Sequence, residues 1–428
     1  MEKRYELDRY AAVYAMRTGS MVSSEVRDLL SVTERPDIIS LAGGLPCTRM
    51  MDGEMIARLF ADVMREEGAE ALQYGTTDGL VRLKEEIVYV MAAEGLEVHP
   101  EEVVITHGSQ QGLELLSKIF INPGDVIMTE APSYVGALNS FVSYQPRLEG
   151  VPLDDRGLQT EALRKRLEAL AAARERPKFL YVIPNFHNPA GVTMSMERRQ
   201  SLLELVHEYE LLLLEDNPYG LLRFEGDPLP PLKSCAPDSV VYLGTLSKIL
   251  SAGMRLGWFV APAPIAEKLL LAKQSADLCT SSLTQRLARA YFATQDWRGV
   301  IEKLVEVYRC RRNTMLAALE EFFPEGTSWT HPEGGFFIWA KLPEYVNTKD
   351  MLAAAIDQKV AYVPGMAFFP DRSGANYMRL NFSYPPEEQI WEGVRRLSLV
   401  IKRELKLARS LGLAGPQAPP ADAERTEE

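Results

Sequence analysis

The sequence predicts an α/β fold: a mostly parallel sheet with helices on its faces, followed by a smaller α+β unit. Three observations carry that prediction. From about residue 100, short apolar runs alternate with longer amphipathic ones, the order expected of parallel strands joined by crossover helices. One such run, residues 211–214, is four leucines, as in a strand buried on both faces. Beyond residue 335 the strand-like runs crowd together and end in one amphipathic helix, the pattern of a second unit.

With 428 residues the chain is long enough for two to three domains and a large core. It is 46% hydrophobic and 25% charged, ordinary for a globular protein. A formal charge of -12 argues against nucleic acid or an anionic membrane as a partner, because both require clustered Lys and Arg. Small-molecule chemistry is the better expectation. Cys47, Cys235, Cys279 and Cys310 are scattered without CxxC spacing, so neither a metal site nor a disulfide framework is expected, and a reducing cytoplasm fits. The N-terminus has no apolar core of a signal peptide, and no run approaches the roughly 18 apolar residues of a membrane span.

In chain order, residues 1–35 read as a polar-amphipathic helix broken before Pro36. Residues 38–41 form a short strand running into Gly43 and Gly44, where the backbone can approach a ligand or simply turn. Tyr74 precedes a helix over 80–93 and reads equally as a core aromatic. The strand 103–106 leads through GSQQG at 108–112 into a helix over 113–120. A glycine-bounded turn at a helix N-terminus offers free N–H groups, which makes Ser109 and Gln110 candidates for an anion cradle. After the strand 126–129, Tyr134 stands where ligands sit in open α/β sheets, placed either to stack on a flat ring or to pack.

A charged helix over 158–176 reads as a solvated face. The strand 179–183 then meets the turn PNFHNPAG at 184–191, and the leucine strand ends at Asp216, which faces the ligand crevice or makes an Asx turn before Pro218. After the strand 240–243, helices are expected over 265–276, 283–294 and 297–322. Strands at 335–340, 360–363 and 377–382 and a helix over 386–407 follow, with a disordered Ala, Pro and Glu-rich tail from 412 to 428. Arg379 lies inside an apolar strand. It needs either a structural ion partner or an anionic ligand.

The stretch GTLSKILSAGMRLGW over 244–258 carries the chemistry. It places Lys248 at the mouth of a strand among small hydroxyl residues, with Arg255 seven positions on. Burial lowers a lysine from roughly 10.4 toward roughly 7 to 8 and so makes it nucleophilic. Arginine holds an anion bidentately. Together they describe a Schiff-base lysine beside a phosphate clamp, as pyridoxal 5'-phosphate (PLP) requires.

The stretch resembles the lysine signature of the class I/II aminotransferases, the fold-type I PLP enzymes, although Thr245 and Ala252 stand where the family often has Ser and Pro. Thr245 keeps the hydroxyl. Further motifs occur in the family's order from about Ile38 to Leu407, among them PNFHNPAG, the Asp216 and Tyr219 spacing, and MRLNF at 378–382. The resemblance implies a large domain over 56–296 with a mostly parallel seven-stranded sheet, a small domain over 297–408, an N-terminal arm that contributes to it over 1–55, and a tail from 409. It also implies site residues. Lys248 holds PLP; Asp216 pairs with the ring nitrogen; Tyr134 stacks on the ring; Asn188 and Tyr219 meet its phenolic oxygen. Ser109, Gln110, Thr245, Ser247 and Arg255 hold the phosphate, with Tyr74 reaching from the other subunit of a homodimer. Arg379, with Gly44 and Asn188, binds the substrate's α-carboxylate. The family often carries Gln where this chain has His187, which is read as packed beside the site, with contact to the substrate as the alternative.

The implied reaction is ping-pong transfer of an amino group between an L-amino acid and a 2-oxo acid, with freed Lys248 as the proton carrier. The motif SEVRDLL at 24–30 is similar to the branch that contains 2-aminoadipate, aromatic and branched-chain aminotransferases, where Arg27 would meet a distal carboxylate or else pair on a helix surface. Glutamate and 2-oxoglutarate are the expected second pair. A PLP lyase or decarboxylase on the same fold is the alternative, because the fold sets the cofactor and the pocket sets which bond breaks. A PLP-binding sensor is a weaker one, since only about 35 residues precede the first strand and the charge is acidic.

Overall fold

The computed structural model describes residues 8–21, 29 and 35–413. Along them the strands are β1 (Ile39–Ser40), β2 (Val103–Thr106), β3 (Val126–Ala131), β4 (Arg147–Asp154), β5 (Gly157–Leu158), β6 (Leu180–Val182), β7 (Leu213–Asp216), β8 (Val240–Thr245), β9 (Gly257–Val260), β10 (Ser328–Trp329), β11 (Phe337–Lys341), β12 (Val360–Ala361), β13 (Val363–Pro364) and β14 (Tyr377–Asn381). The large sheet has the order β2-β9-β8-β7-β6-β3-β4-β5. From β4 through β3, β6 and β7 to β8 all pairings are parallel; β9 runs antiparallel to both neighbours. This is the expected mostly parallel, seven-stranded sheet, extended at one edge by the two-residue β5, which folds back on the end of β4.

The leucine run behaves as its composition demands, since Leu213 and Leu214 are fully buried and contribute to cores on opposite faces of the sheet. Antiparallel β9 is locked to β8 by a glycine. A Cβ on Gly244 would sit 2.2 Å from the indole of Trp258, its register partner, so the buried tryptophan lies across a position that tolerates no side chain. A second sheet, β10-β11-β14-β13, is antiparallel. β1 pairs with β12, and Asn381 N–H donates to the Leu41 carbonyl (2.8 Å), which brings the segment after β1 beside β14. The long helices Trp297–Phe322 and Glu387–Ser410 pack together over this sheet.

Of the expected N-terminal helix, Leu29 is helical and buried, whereas residues 8–21 form no α-helix. Residues 16–20 make only a short 3-10 turn. Tyr10, Val13, Tyr14, Met16 and Met21 are exposed, so no apolar face is buried to stabilise a helix, and Thr18, Gly19 and Ser20 have poor helix propensity. The last helix runs to Ser410, three residues beyond expectation, and most of the tail assigned to disorder lies outside the described residues. The helix expected over 158–176 covers only Thr160–Ala172, because Gly157 and Leu158 are drawn into β5.

Candidate active site

The carboxyl ends of β3, β6, β7 and β8, with the turn after β2, converge on one cavity of about 430 Å³. Ser109, Gln110, Tyr134, Asn188, Asp216, Tyr219, Thr245, Ser247, Lys248, Arg255, Arg379 and Gly44 all line it. Residues scattered over more than 330 positions of sequence are therefore brought together by strand order alone. Arg27 lies outside the described residues. Tyr74 is 77% exposed and faces away, beside Gln73 and Arg286. A larger cleft of about 930 Å³ lies between Trp329, Trp339 and the loop 190–193; none of these site residues lines it.

Lys248 follows β8 and is half-buried, its Nζ donating to the Gly44 carbonyl at 2.9 Å. Burial lowers its pKa to about 8, helped by the charges of Arg379 and Arg255 and opposed by Asp216. At neutral pH about a tenth of such a lysine is an uncharged amine. Asp216, 2% exposed, closes β7. Burial raises its pKa to about 6, against the Tyr181 hydrogen bond and the Lys248 charge. The Tyr181 hydroxyl donates to Oδ2 at 2.7 Å, whereas Oδ1 has no partner among the described residues. An orphaned carboxylate oxygen on a cavity wall calls for a cationic N–H in the cavity.

Arg379 projects from β14, 3% exposed. Its Nη1 donates to Asn188 Oδ1 (2.9 Å) and its Nη2 to the Ala42 carbonyl (2.7 Å), while Nε has no partner among the described residues. The guanidinium stacks 4.2 Å from the Phe337 ring centroid and 5.1 Å from that of Phe368. Burial lowers its pKa to about 10, so it remains a cation at neutral pH. Among the described residues no carboxylate pairs with it, which leaves the charge for a ligand anion. Tyr219 is also buried, its hydroxyl beside the Asn188 amide.

At the other end, the helix Ser109–Phe120 points its N-terminus at Arg255. Gly108 has φ 72°, and a Cβ there would sit 2.7 Å from the Arg255 guanidinium; a Cβ on Gly257 would sit 2.6 Å from Ser109 N. Both glycines let backbone, arginine and helix N-terminus crowd one spot. Thr245 Oγ1 and Ser247 Oγ lie 2.9 Å apart at its edge. The Gln110 side chain is already engaged, donating to the Gly136 carbonyl (3.0 Å) and Ser140 Oγ (2.8 Å), so its contribution to an anion is the backbone N–H.

Several residues that complete the site carried no sequence signal. Tyr181, mid-strand, and Phe337 read only as core. Asn185 Nδ2 donates to Asn217 Oδ1 (2.9 Å) and Asn185 Oδ1 accepts from Arg199 (2.7 Å), tying the turn that bears Asn188 to the one that bears Asp216. His187 is fully buried and is not among the residues that line the cavity.

A buried amine of lowered pKa, an unpaired acid across from it, an arginine free for a carboxylate and a cationic helix-end cradle define a site for a phosphorylated aldehyde whose ring nitrogen is protonated. PLP fits each of them. The family profile for aminotransferase class I and II matches residues 36–397. The aromatic-amino-acid aminotransferase 1 of Thermococcus litoralis is 45% identical over 93% of this chain and 96% of its own length. The crystal structure of Pyrococcus horikoshii kynurenine aminotransferase, in complex with PMP, superposes with TM-score 0.89 at 44% identity, covering 93% and 99% of the two chains. That of the alpha-aminoadipate aminotransferase of Thermus thermophilus, complexed with N-(5'-phosphopyridoxyl)-L-leucine, gives TM-score 0.86 at 37% identity and covers 93% and 99%. The chain belongs to the aminotransferase class I and II family. It is a PLP-dependent aminotransferase of fold-type I, and transamination takes precedence over the lyase reading.

Proposed function

We propose that the protein transfers the amino group of an aromatic, branched-chain or 2-aminoadipate donor to 2-oxoglutarate, with glutamate as the second product. The observation that carries this reading is the division of charge in the cavity. Among the described residues its cations are Lys248, Arg255 and Arg379, and each has a role at the cofactor or the α-carboxylate. The remaining wall, Leu45, Ile183, Pro218 and Phe337, is apolar and suits a large hydrophobic side chain. Arg27 is left for the distal carboxylate of glutamate or 2-aminoadipate. Relatives named for aromatic amino acids, kynurenine and alpha-aminoadipate agree with this range.

In this reading Arg379 and Asn188 fix the substrate α-carboxylate, so the α-carbon proton lies toward Lys248 Nζ, which in its neutral form takes the proton and returns it. Asp216 Oδ1 keeps a ring N–H protonated. When bound, PLP supplies the electron sink for the α-carbon. Ser109, the Gln110 backbone, Thr245, Ser247 and Arg255 hold the phosphate, Tyr134 stacks on the ring, and Asn188 and Tyr219 meet the phenolic oxygen.

The functional unit is a cytoplasmic homodimer in which Tyr74 completes the partner's phosphate site; its 77% exposure leaves it available to a second copy. Residues 56–296 form the large domain, and 297–408 with the segment before residue 56 the small one. No described helix is long and apolar enough to cross a membrane. The reading is tested by visible spectra of the PLP-loaded protein with phenylalanine, leucine, 2-aminoadipate and glutamate. Conversion by these donors and recovery with 2-oxoglutarate is expected, and conversion by none of them rejects it.

A further inference from the structure

The turn that carries Asn188 is closed on itself, with His187 N–H donating to the Val192 carbonyl (2.8 Å) and Gly191 N–H to the His187 carbonyl (2.6 Å). The His187 ring lies between this turn and the sheet, beside the ties that Asn185 makes to Asn217 and Arg199. Ala190 N–H donates to Nδ1 at 3.2 Å, which leaves the hydrogen of the neutral ring on Nε2. Nε2 lies 3.1 Å from Glu130 Oε2, a close polar contact without hydrogen-bond alignment, and it has no hydrogen-bond partner among the described residues. The same Glu130 oxygen accepts Ile183 N–H at 2.8 Å. Glu130 and Ile183 stand at the adjacent carboxyl ends of β3 and β6, and both Glu130 and His187 are 1% exposed.

A buried carboxylate requires donors, and a turn that must hold one side chain in place requires an anchor. Apolar packing would ask only for volume. This site asks for one acceptor facing Ala190 N–H and one polar group beside the Glu130 carboxylate. The residue so anchored is followed directly by Asn188, whose Oδ1 holds Arg379 and whose amide meets the Tyr219 hydroxyl. We propose that His187 is a positioning residue: bonded to Ala190 N–H and set against the Glu130 carboxylate, it holds the Asn188 amide and, through it, the orientation of the Arg379 clamp. This rests on the assignment of Asn188 and Arg379 to the substrate carboxylate and the cofactor oxygen made above.

The test uses the full-length, cofactor-loaded enzyme with His187→Leu, His187→Gln, Asn188→Ala and the double variant His187→Leu/Asn188→Ala. Steady-state constants for phenylalanine and the pH midpoint of the visible absorbance are measured, the latter because the Asn188 amide faces the group that titrates. His187→Leu is expected to raise KM about 10-fold with kcat changed less than about 3-fold and to displace the midpoint, whereas His187→Gln, which offers both an acceptor and a donor, restores both. In the double variant the histidine change adds nothing to Asn188→Ala, because one residue acts through the other. Thermal unfolding is followed for each; should His187→Leu not fold, Glu130→Gln carries the same comparison. Equal impairment in His187→Gln, additivity with Asn188→Ala, or an unmoved midpoint overturns the proposal. An Asn188→Ala enzyme with unchanged KM and midpoint overturns the Asn188 assignment itself, and a wild-type protein that converts no donor overturns the functional reading.

Discussion

Arg379 Nη1 donates to Asn188 Oδ1 across 2.9 Å, a bond that joins β14 of the small sheet to the turn after β6 of the large one. With Nη2 on the Ala42 carbonyl, the guanidinium is oriented before any substrate arrives. Arg379→Lys keeps the charge but loses the planar fork and the stacking on Phe337. KM for amino-acid donors is expected to rise about 100-fold, with a smaller change in kcat, since the clamp holds substrate and transition state alike. Steady-state kinetics with two donors checks this, and an unchanged KM would remove Arg379 from the carboxylate site.

Lys248 is lowered to about 8 by burial first and then by Arg379 and Arg255. Reductive methylation of the cofactor-free protein, followed by peptide mapping, should show Lys248 reacting with a midpoint near pH 8 while surface lysines react near roughly 10.4. Arg379→Ala removes a positive neighbour and so moves that midpoint upward. A Lys248 that titrates with the surface lysines contradicts the buried-amine argument. Lys248→Ala should abolish transamination, by more than about 1,000-fold, and with it the visible band of the loaded protein.

Much of this site was legible in the sequence because its residues sit where punctuation is strong. Asp216 ends a strand and Lys248 and Asn188 stand in the turns that follow one, with Pro and Gly marking those turns. Composition alone did not gather them; parallel strand order did, and the family resemblance gave them roles. Tyr181 escaped because a mid-strand tyrosine is indistinguishable from core until its hydroxyl is seen 2.7 Å from Asp216 Oδ2. Phe337 escaped for the same reason. The N-terminal helix falls short over residues 8–21 because amphipathic spacing stabilises a helix only where its apolar face is buried, and Tyr10, Val13, Tyr14, Met16 and Met21 are exposed there.

Arg27 separates the two donor classes. If it meets a distal carboxylate, Arg27→Ala raises KM for glutamate and 2-aminoadipate about 10-fold or more and leaves phenylalanine within about 2-fold. Equal losses for all three donors would make it a residue of the fold and not of specificity.

Asp216 gives the prediction with the most consequences, because its roles in stability and in catalysis have opposite signs. Its folded pKa, raised to about 6 mainly by burial, exceeds the unfolded value near 3.8. Between those values the folded state binds more protons, so stability is full below about pH 4 and falls as pH rises through about 6. The difference corresponds to about 3 kcal/mol, with the charged form disfavoured at about pH 7. Asp216→Asn removes that cost while its amide oxygen still accepts the Tyr181 hydroxyl. Urea unfolding of the cofactor-free variant should therefore show a gain over wild type of about 1–3 kcal/mol at about pH 7 that vanishes near pH 4. The same variant turns an N–H toward the ring nitrogen in place of Oδ1, so transamination falls by about 1,000-fold or more. A gain that is flat with pH would mean that the carboxylate titrates alike in the folded and unfolded states, and a loss at neutral pH would mean that the charge is compensated by a partner other than the Tyr181 hydroxyl.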